Sequence, residues 1–229
     1  MKELFLGKQA FPCKIIFLTG VDGSGKTFLA NKLLTALNAH QVPAIHVWSR
    51  FNNYLSKPLL AFTRLIGLNY YETHGGTRIG YHDFESSRVI SGLFVICQFV
   101  DVWIASIFKF WMPVMLRKGV IVADRGPHDT LIDVTLDTGF HNLPRTAIGR
   151  LFLKSIPFRK KVFLIVRDPD KIEACRSDVR LDKKFEKRMG LFFEFADELG
   201  FLRVSNDGAP EQALDAIVED LQVERKKTP

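Results

Sequence analysis

One glycine-rich segment near the N-terminus constrains this chain more than any other feature of its sequence. Residues 20–27 read Gly-Val-Asp-Gly-Ser-Gly-Lys-Thr and fit the pattern Gly-x4-Gly-Lys-Ser/Thr in full. A β-branched and aromatic run at 14–19 predicts a buried strand before the segment, and apolar spacing over 27–39 predicts a helix after it. A glycine-rich turn between a strand and a helix N-terminus lets backbone N–H groups approach an anion closely. The segment therefore predicts a phosphate-binding loop, and its context favours this over an ordinary glycine-rich turn.

The loop residues can be given separate roles from their chemistry. We predict nucleotide binding by Gly20, Asp22, Gly23, Ser24, Gly25, Lys26 and Thr27. The Lys26 ammonium is expected to reach the β and γ phosphates, and the Thr27 hydroxyl can ligate Mg²⁺. The predicted cofactors are therefore ATP and Mg²⁺.

Strand and helix signals alternate along the whole chain. Strands are predicted at 14–19, 43–48, 120–123, 161–166 and 201–204, and helices at 27–39, 82–116, 128–136, 145–155, 169–175, 185–199 and 210–221. Residues 52–80, rich in glycine, are predicted to be irregular. Alternation of this kind predicts one α/β domain with a three-layer P-loop NTPase fold, whose mainly parallel five-stranded sheet carries helices on both faces. Its core is expected over about 13–222, with loose ends at 1–12 and 224–229.

Two further segments are expected at the same edge of the sheet, because the carboxyl ends of parallel strands meet there. The apolar strand 120–123 delivers Asp124, a candidate Mg²⁺ ligand, and Arg125, which would face an incoming phosphate. The basic segment 176–188, with Arg176 and Arg180, can form a lid that supplies positive charge to a transferring phosphoryl group. The alternatives are a helix cap or solvated loop for Asp124, and a solvated helix face for the basic segment.

Composition narrows the class of partner and the compartment. The formal net charge of +7 attracts anions, but the basic residues are spread out and no arginine-rich arm appears. A small anionic ligand is therefore favoured over nucleic acid or an anionic membrane. Three cysteines lie far apart and form no Cys-x-x-Cys pair, which fits a reducing cytosol and predicts a cytoplasmic protein.

Residues 89–108 are apolar over about the length of a bilayer span. Gln98 and Asp101 lie near the middle of this segment, where lipid would penalise them. A helix buried in a soluble core is therefore favoured over a membrane segment.

The motifs together resemble the thymidylate kinase family of P-loop nucleoside monophosphate kinases. The loop at 20–27 resembles that family's P-loop, and 47–50 resembles its strand ending in arginine. Asp124-Arg125 resembles its Asp-Arg motif, and 181–186 resembles its lid sequence. The resemblance implies that ATP phosphorylates a nucleoside monophosphate, with dTMP as the family's usual acceptor.

The resemblance also implies individual roles. Asp22 would contact the acceptor sugar or an arginine, and Arg50 and Arg125 would hold the acceptor phosphate. Lys26, Arg125, Arg176 and Arg180 would be catalytic. Family members are often homodimers, and the apolar surface around 89–110 could serve as such an interface.

The acceptor half of the resemblance is incomplete. Val134 stands where the family reads the base with glutamine, and Trp103 lies near the position of a phosphate-binding arginine. The loop after Arg50 is longer than in the family, and the Gly-Gly-Thr sequence at 75–77 comes late. A kinase for a nucleoside or sugar, and a P-loop NTPase without phosphotransfer, therefore stay open as alternatives.

Three aspartates at helical spacing follow Arg125. Asp129, Asp133 and Asp137 share one face of the predicted helix and could bind acceptor hydroxyls, but a solvated acidic face is the favoured interpretation. A structural role is likewise favoured for His128.

Overall fold

The computed structural model describes residues 13–74, 77–116, 119–176 and 178–227. The strands are β1 Ile15–Thr19, β2 Ala44–Trp48, β3 Asn69–His74, β4 Thr77–His82, β5 Val120–Asp124, β6 Lys160–Val166 and β7 Leu202–Ser205. The α-helices are α1 Lys26–Ala39, α2 Ser56–Leu65, α3 Arg88–Ser106, α4 Met112–Leu116, α5 Pro127–Thr138, α6 Ala147–Lys154, α7 Pro169–Cys175, α8 Phe185–Leu199 and α9 Pro210–Lys227.

Five strands form a parallel sheet in the order β2-β5-β1-β6-β7. The apolar strand β1 lies at its centre, paired with β5 on one side and β6 on the other. Leu18 of β1 is in register with Asp124 of β5, so the loop after β1 and the acidic end of β5 emerge side by side. The predicted α/β fold with a parallel five-stranded sheet is confirmed.

The central strand explains why helices cover both faces of the sheet. Ile16 and Leu18 belong to the core cluster that includes α1 and α9, whereas Ile15 and Phe17 pack with Phe110 on the other face. All four side chains are fully buried. Successive side chains of a strand point to opposite faces, so a continuous apolar run requires a cover on each side.

The prediction of an irregular region at 52–80 is wrong. Helix α2 occupies part of it, and β3 pairs with β4 in an antiparallel hairpin in which Tyr70 is opposite Tyr81. Helix α2 begins where the Asp101 carboxylate accepts hydrogen bonds from the Leu55 N–H at 2.6 Å and the Ser56 N–H at 3.0 Å. The group that caps this helix is thus supplied by α3, 45 residues away in sequence. Gly75 and Gly76 lie outside the described residues.

The long apolar segment is α3, a π-helical turn at Ile107–Trp111, and α4. Helix 88–116 is long and apolar enough to cross a membrane by length and composition alone. Asp101 and Gln98 are nevertheless fully buried beside the start of α2, where Gln98 donates to Ser56 Oγ at 2.9 Å and to Asn53 Oδ1, just before the helix, at 2.7 Å. The opposite face of α3 exposes Val89, Leu93 and Ile96.

Helix α9 continues to Lys227, beyond its predicted end at 221 and into the segment expected to be loose. The predicted loose end at 1–12 lies outside the described part of the chain.

Candidate active site

The loop between β1 and α1 has a backbone that requires glycine, as its first and last glycines show. Gly20 has φ +135° and Gly25 has φ +93°, both in the left-handed region. A Cβ at Gly20 would lie 2.7 Å from the Ile165 carbonyl oxygen, and one at Gly25 would collide with Asn206 Nδ2. Asn206 also donates to the Ser24 carbonyl at 2.8 Å, so the end of β7 holds the loop from behind. The loop thus has the fixed, close-approach backbone that phosphate binding requires.

Lys26 lies at the start of α1 and is almost fully buried. Its Nζ donates to the Val21 carbonyl at 2.5 Å and to Ser24 Oγ at 3.3 Å, both within the loop itself. Burial, and then the neighbouring Arg125, lower the pKa of Lys26 below its ordinary value. An incoming phosphate would stabilise the charged form of this ammonium, so its binding is expected to be coupled to the protonation of Lys26.

Thr27 and Asp124, the two predicted Mg²⁺ ligands, are in direct contact. The Thr27 hydroxyl donates to Asp124 Oδ2, although the residues are 97 positions apart. The other carboxylate oxygen, Oδ1, is buried and has no hydrogen-bond partner among the described residues. Within that part of the chain no group of three or more His, Cys, Asp or Glu could hold a metal ion. The donor set fits Mg²⁺, which takes one or two protein oxygens and completes its coordination with phosphate and water.

Asp22 connects the loop to two arginines. Its carboxylate pairs with Arg125 and also with Arg50 Nη1 at 3.1 Å. Burial would raise the pKa of Asp22, but Arg125, Arg50 and Lys26 outweigh burial and hold it well below its usual range. Arg125 has φ +72°, a costly conformation for a residue with a Cβ. The pairing with Asp22 and an N–H bond to the Leu18 carbonyl at 3.0 Å hold it there.

Arg50 is linked in turn to helix α5 and, through it, to α8. Arg50 Nε lies 3.5 Å from Asp133 Oδ2, and Arg188 Nε donates to Asp133 Oδ1 at 3.1 Å. Arg188 also pairs with Asp182 at 2.5 Å. Burial would lower the pKa of Arg188, but Asp133 and Asp182 more than offset it and raise the pKa. Arg188 therefore stays charged.

The expectation of a solvated acidic face on α5 is wrong. Asp129, Asp133 and Asp137 are 1%, 4% and 8% exposed, and each faces cations. Asp137 accepts from Lys184 Nζ at 3.0 Å and contacts His82 Nδ1 at 2.7 Å, while Asp129 lies 3.9 Å from Arg125 and accepts from the Gly126 N–H at 3.0 Å. We call the following set the ionic cluster: Asp22, Arg50, Arg125, Asp129, Asp133, Asp137, Asp182, Lys184 and Arg188.

The basic segment at 176–188 is joined to the β3–β4 hairpin. The Tyr81 hydroxyl donates to the Leu181 carbonyl at 3.1 Å and accepts from the Lys183 N–H at 3.2 Å. Lys184 Nζ donates to the His82 carbonyl at 2.7 Å. The predicted lid is thus held by an element that sequence patterns did not reveal.

Of the two arginines predicted for the lid, the structure describes the side chain of Arg176. Arg176 is about half exposed and pairs with Asp178 on its own segment. A Cβ at Gly23 would lie 3.6 Å from Arg176 Cγ, so this arginine borders the phosphate-binding loop. The side chain of Arg180 lies outside the described residues.

Sequence reasoning missed one site residue, Asn206, and the role of another, Arg188. Asn206 directly follows β7 at the carboxyl edge of the sheet, and this position was a usable signal for it. Arg188 belongs to the basic segment predicted as a lid, but its partner Asp133 lies 55 residues away, and no local pattern predicts that pairing.

At the two positions where the chain departs from the family's acceptor motifs, the neighbouring side chains do not supply the missing polar groups. Val134 is fully buried in the core cluster of α3, α5 and α8. Trp103 packs between Phe99 and Trp111, with ring centroids 6.2 and 6.4 Å away. The polar groups beside Arg50 come instead from Asp133 and Arg188.

His128 has the surroundings expected of a structural residue. It is 3% exposed, and its ring meets Phe17 and Phe201 edge-on at 5.3 and 5.1 Å. Burial, and then Lys160, lower the pKa of His128 to about 3. The folded protein therefore holds this imidazole neutral.

We expect the neutral His128 to make the fold acid-sensitive. Between pH 6.5 and pH 3 the unfolded chain binds a proton at this position that the folded chain does not, so stability is present above pH 6.5 and is lost as the pH falls. At about 1.4 kcal/mol per pH unit, the loss through this group at pH 5 is about 2 kcal/mol. Urea unfolding of His128→Leu at pH 7.5 and pH 5 should show a pH dependence smaller by that amount. His141→Leu, at an exposed position, should lose as much stability between the two pH values as the unmodified chain does. If His128→Leu also loses that much, the assignment of a neutral, buried His128 is refuted.

The sheet order, the loop after the central strand and the helices on both faces define a three-layer α/β P-loop kinase fold. A crystal structure of thymidylate kinase from Ehrlichia chaffeensis is similar to this chain, with a TM-score of 0.55 over 91% of this chain and 98% of that chain. The sequence identity is 14%, so the similarity shows a shared fold. No protein-family model matches the chain, and no curated protein matches its sequence.

Proposed function

We propose that the chain is an ATP-dependent phosphotransferase that moves the γ-phosphoryl group of ATP to a small-molecule acceptor held at the ionic cluster. The single observation that carries this proposal is the position of Asp22. This residue belongs to the phosphate-binding loop, yet its carboxylate pairs with Arg50 and Arg125 of the ionic cluster. A donor site and a charged acceptor site therefore share one residue, which is the arrangement that direct transfer between two bound molecules requires.

The residues of the chain would contribute positioning and charge. Backbone N–H groups of the loop and the Lys26 ammonium would hold the β and γ phosphates, while Thr27 and Asp124 would hold Mg²⁺. When bound, Mg²⁺ supplies positive charge that offsets the charge of the phosphates. Arg176, beside the loop, would add charge at the transferring group, and the segment at 176–188 would exclude water.

Two acceptor classes are compatible with this mechanism. The resemblance to thymidylate kinases favours a nucleoside monophosphate, with dTMP first, whose phosphate Arg50 and Arg125 would hold. The buried aspartates of α5 favour a nucleoside or sugar instead, because carboxylates accept hydrogen bonds from hydroxyl groups.

A coupled assay of ADP release tests the proposed function. The protein would be given Mg-ATP with a panel of nucleosides, nucleoside monophosphates, sugars and sugar phosphates. Acceptor-dependent release is expected. Equal release without any acceptor would refute phosphotransfer and favour an NTPase that only hydrolyses its nucleotide.

We expect Arg50→Ala to raise the KM for the acceptor about 10- to 100-fold, which corresponds to the loss of one charge-assisted hydrogen bond. Arg50 contacts both Asp22 and Asp133, so its loss removes a donor and loosens the two carboxylates beside the acceptor. The KM for ATP should change much less, because Arg50 contacts the loop only through the Asp22 side chain and makes no hydrogen bond with Lys26. Arg203→Ala, which breaks an exposed pair with Asp197, is the control. An effect confined to the KM for ATP would contradict this role of Arg50.

The cytoplasmic location and the homodimer stay predictions. The exposed apolar face of α3 is the surface we propose for a homodimer.

A further inference from the structure

Every arginine of the ionic cluster is already paired with a carboxylate of the chain. Arg125 pairs with Asp22, Arg50 with Asp22 and Asp133, and Arg188 with Asp133 and Asp182. The cluster as a whole contains five aspartates against three arginines and one lysine, so its formal charge is slightly negative. A site built to attract a phosphate dianion would instead present an excess of unpaired cations.

The donor side of the same site shows the contrast. Lys26 donates only to oxygens of its own loop, and within the described residues no ion pair joins it to a carboxylate. The phosphate-binding loop therefore has an ammonium ready for an anion, whereas the ionic cluster has neutralised its cations. The two halves of the site are electrostatically different although Asp22 belongs to both.

The carboxylates in these pairs cannot easily move aside for a phosphate. The side chains of Asp133 and Arg125 are 6% and 7% exposed, and that of Arg188 is 16% exposed. A phosphate that displaced Asp133 would leave a buried carboxylate without its cations, which is strongly unfavourable. A phosphate that did not displace it would lie beside a carboxylate of like charge.

One pair of polar atoms in the cluster has unused hydrogen-bonding capacity. Arg50 Nε and Asp133 Oδ2 are buried, 3.5 Å apart, and neither makes a hydrogen bond with any described residue. A hydroxyl can complete both atoms, since it donates its proton to a carboxylate oxygen and accepts from an N–H. A phosphate dianion can only accept.

We propose, resting on the proposed function, that the acceptor presents hydroxyl groups and no phosphate to the ionic cluster, and that Asp133 determines this specificity. The acceptor class is an uncharged polyhydroxyl compound such as a nucleoside or a sugar. In the reaction, the acceptor oxygen forms a bond to the γ phosphorus while the bond to the β–γ bridging oxygen breaks and ADP leaves. The hydroxyl proton passes to Asp22 and then to water. A carboxylate of low basicity suffices, because in a loose transition state the proton is lost late, when the new P–O bond has made it acidic.

Pairs of acceptors that differ by one phosphate group test the proposed acceptor class. The protein would be assayed for ADP release with thymidine against dTMP, adenosine against AMP, and glucose against glucose 6-phosphate. The uncharged member of the accepted pair should have a kcat/KM at least 10-fold above that of its phosphate. A preference for the phosphate would overturn the inference and leave phosphotransfer intact. ADP release that does not depend on any acceptor would instead refute the proposed function.

The variant Asp133→Asn tests the role of Asp133 in acceptor specificity. It should lower the ratio of kcat/KM for the uncharged member to that for its phosphate by 10-fold or more, because Arg50 and Arg188 lose their shared carboxylate. The ratio is measured within one protein sample, so a partly unfolded variant does not distort it. Asp197→Asn, an exposed aspartate on α8 that also pairs with an arginine, should leave the ratio unchanged. An unchanged ratio in Asp133→Asn would overturn the role of Asp133.

Discussion

Replacing Lys26 with alanine is expected to lower the rate of phosphoryl transfer by about 10³-fold or more. In the structure this ammonium donates to two oxygens of the loop that an incoming phosphate would replace, and in the described residues it has no ion-pair partner to lose. The loss of this ammonium is therefore expected to act on the rate of the reaction. The measurement is kcat for acceptor-dependent ADP release.

The same variant should fold as well as the unmodified chain. Burial already disfavours the charged form of Lys26, so removing the ammonium relieves a desolvation cost that offsets the loss of its two hydrogen bonds in the loop, and thermal unfolding should shift little. Lys32→Ala provides the matched control, because Lys32 is a half-exposed lysine on the same helix that pairs with Glu211. Turnover of Lys26→Ala equal to that of Lys32→Ala would refute the phosphate-binding role of the loop.

The donor half of the site could be predicted from sequence because its determinants are local. Residues 20–27 supply the glycines, the lysine and the hydroxyl in one segment, and the strand β1 and helix α1 that frame it have short-range patterns. Asp124 was predictable for a related reason. The strand β5 is wholly apolar, and a parallel sheet brings its end beside the loop.

The acceptor half could not be predicted because its determinants are long-range. Asp133 was expected to be solvated since its own helix shows only an acidic face, and the arginines that bury it come from residues 50 and 188. Burial of a charge depends on partners that sequence spacing does not reveal. The β3–β4 hairpin was missed for the same reason, because its contacts with the segment at 176–188 join parts of the chain about 100 residues apart.

Helix α2 was missed although its sequence contains a serine near its start. Pro58 and the glycines between residues 67 and 80 favoured an irregular interpretation, yet proline is tolerated in the first turn of a helix. The capping group is Asp101, which sequence analysis had noted only as a charge inside an apolar run.

Asp101→Ala is expected to lower the free energy of unfolding by about 2–4 kcal/mol. The Asp101 carboxylate is fully buried and accepts from the Leu55 N–H, the Ser56 N–H and the Ser56 hydroxyl. Its removal would leave these donors without their acceptor at the N-terminus of α2. Urea unfolding of the purified chain measures the loss. Asp101→Asn keeps one acceptor oxygen and should lose less, and Asp215→Ala, at an exposed position on α9, should change stability little.

A different substitution at the same position, Asp101→Leu, separates the two interpretations of the apolar segment at 88–116. In a bilayer span a central aspartate is a cost, so replacing it with leucine would favour insertion. In the fold described above, Asp101→Leu would remove the cap of α2 and place a larger apolar group against buried N–H groups, and the purified chain should lose stability as Asp101→Ala does. A stability that rises in Asp101→Leu, together with partition of the unmodified chain into lipid vesicles, would contradict the packing of α3 against α2. The charge that made the segment a poor membrane helix is thus expected to be the group that fixes the position of its neighbour.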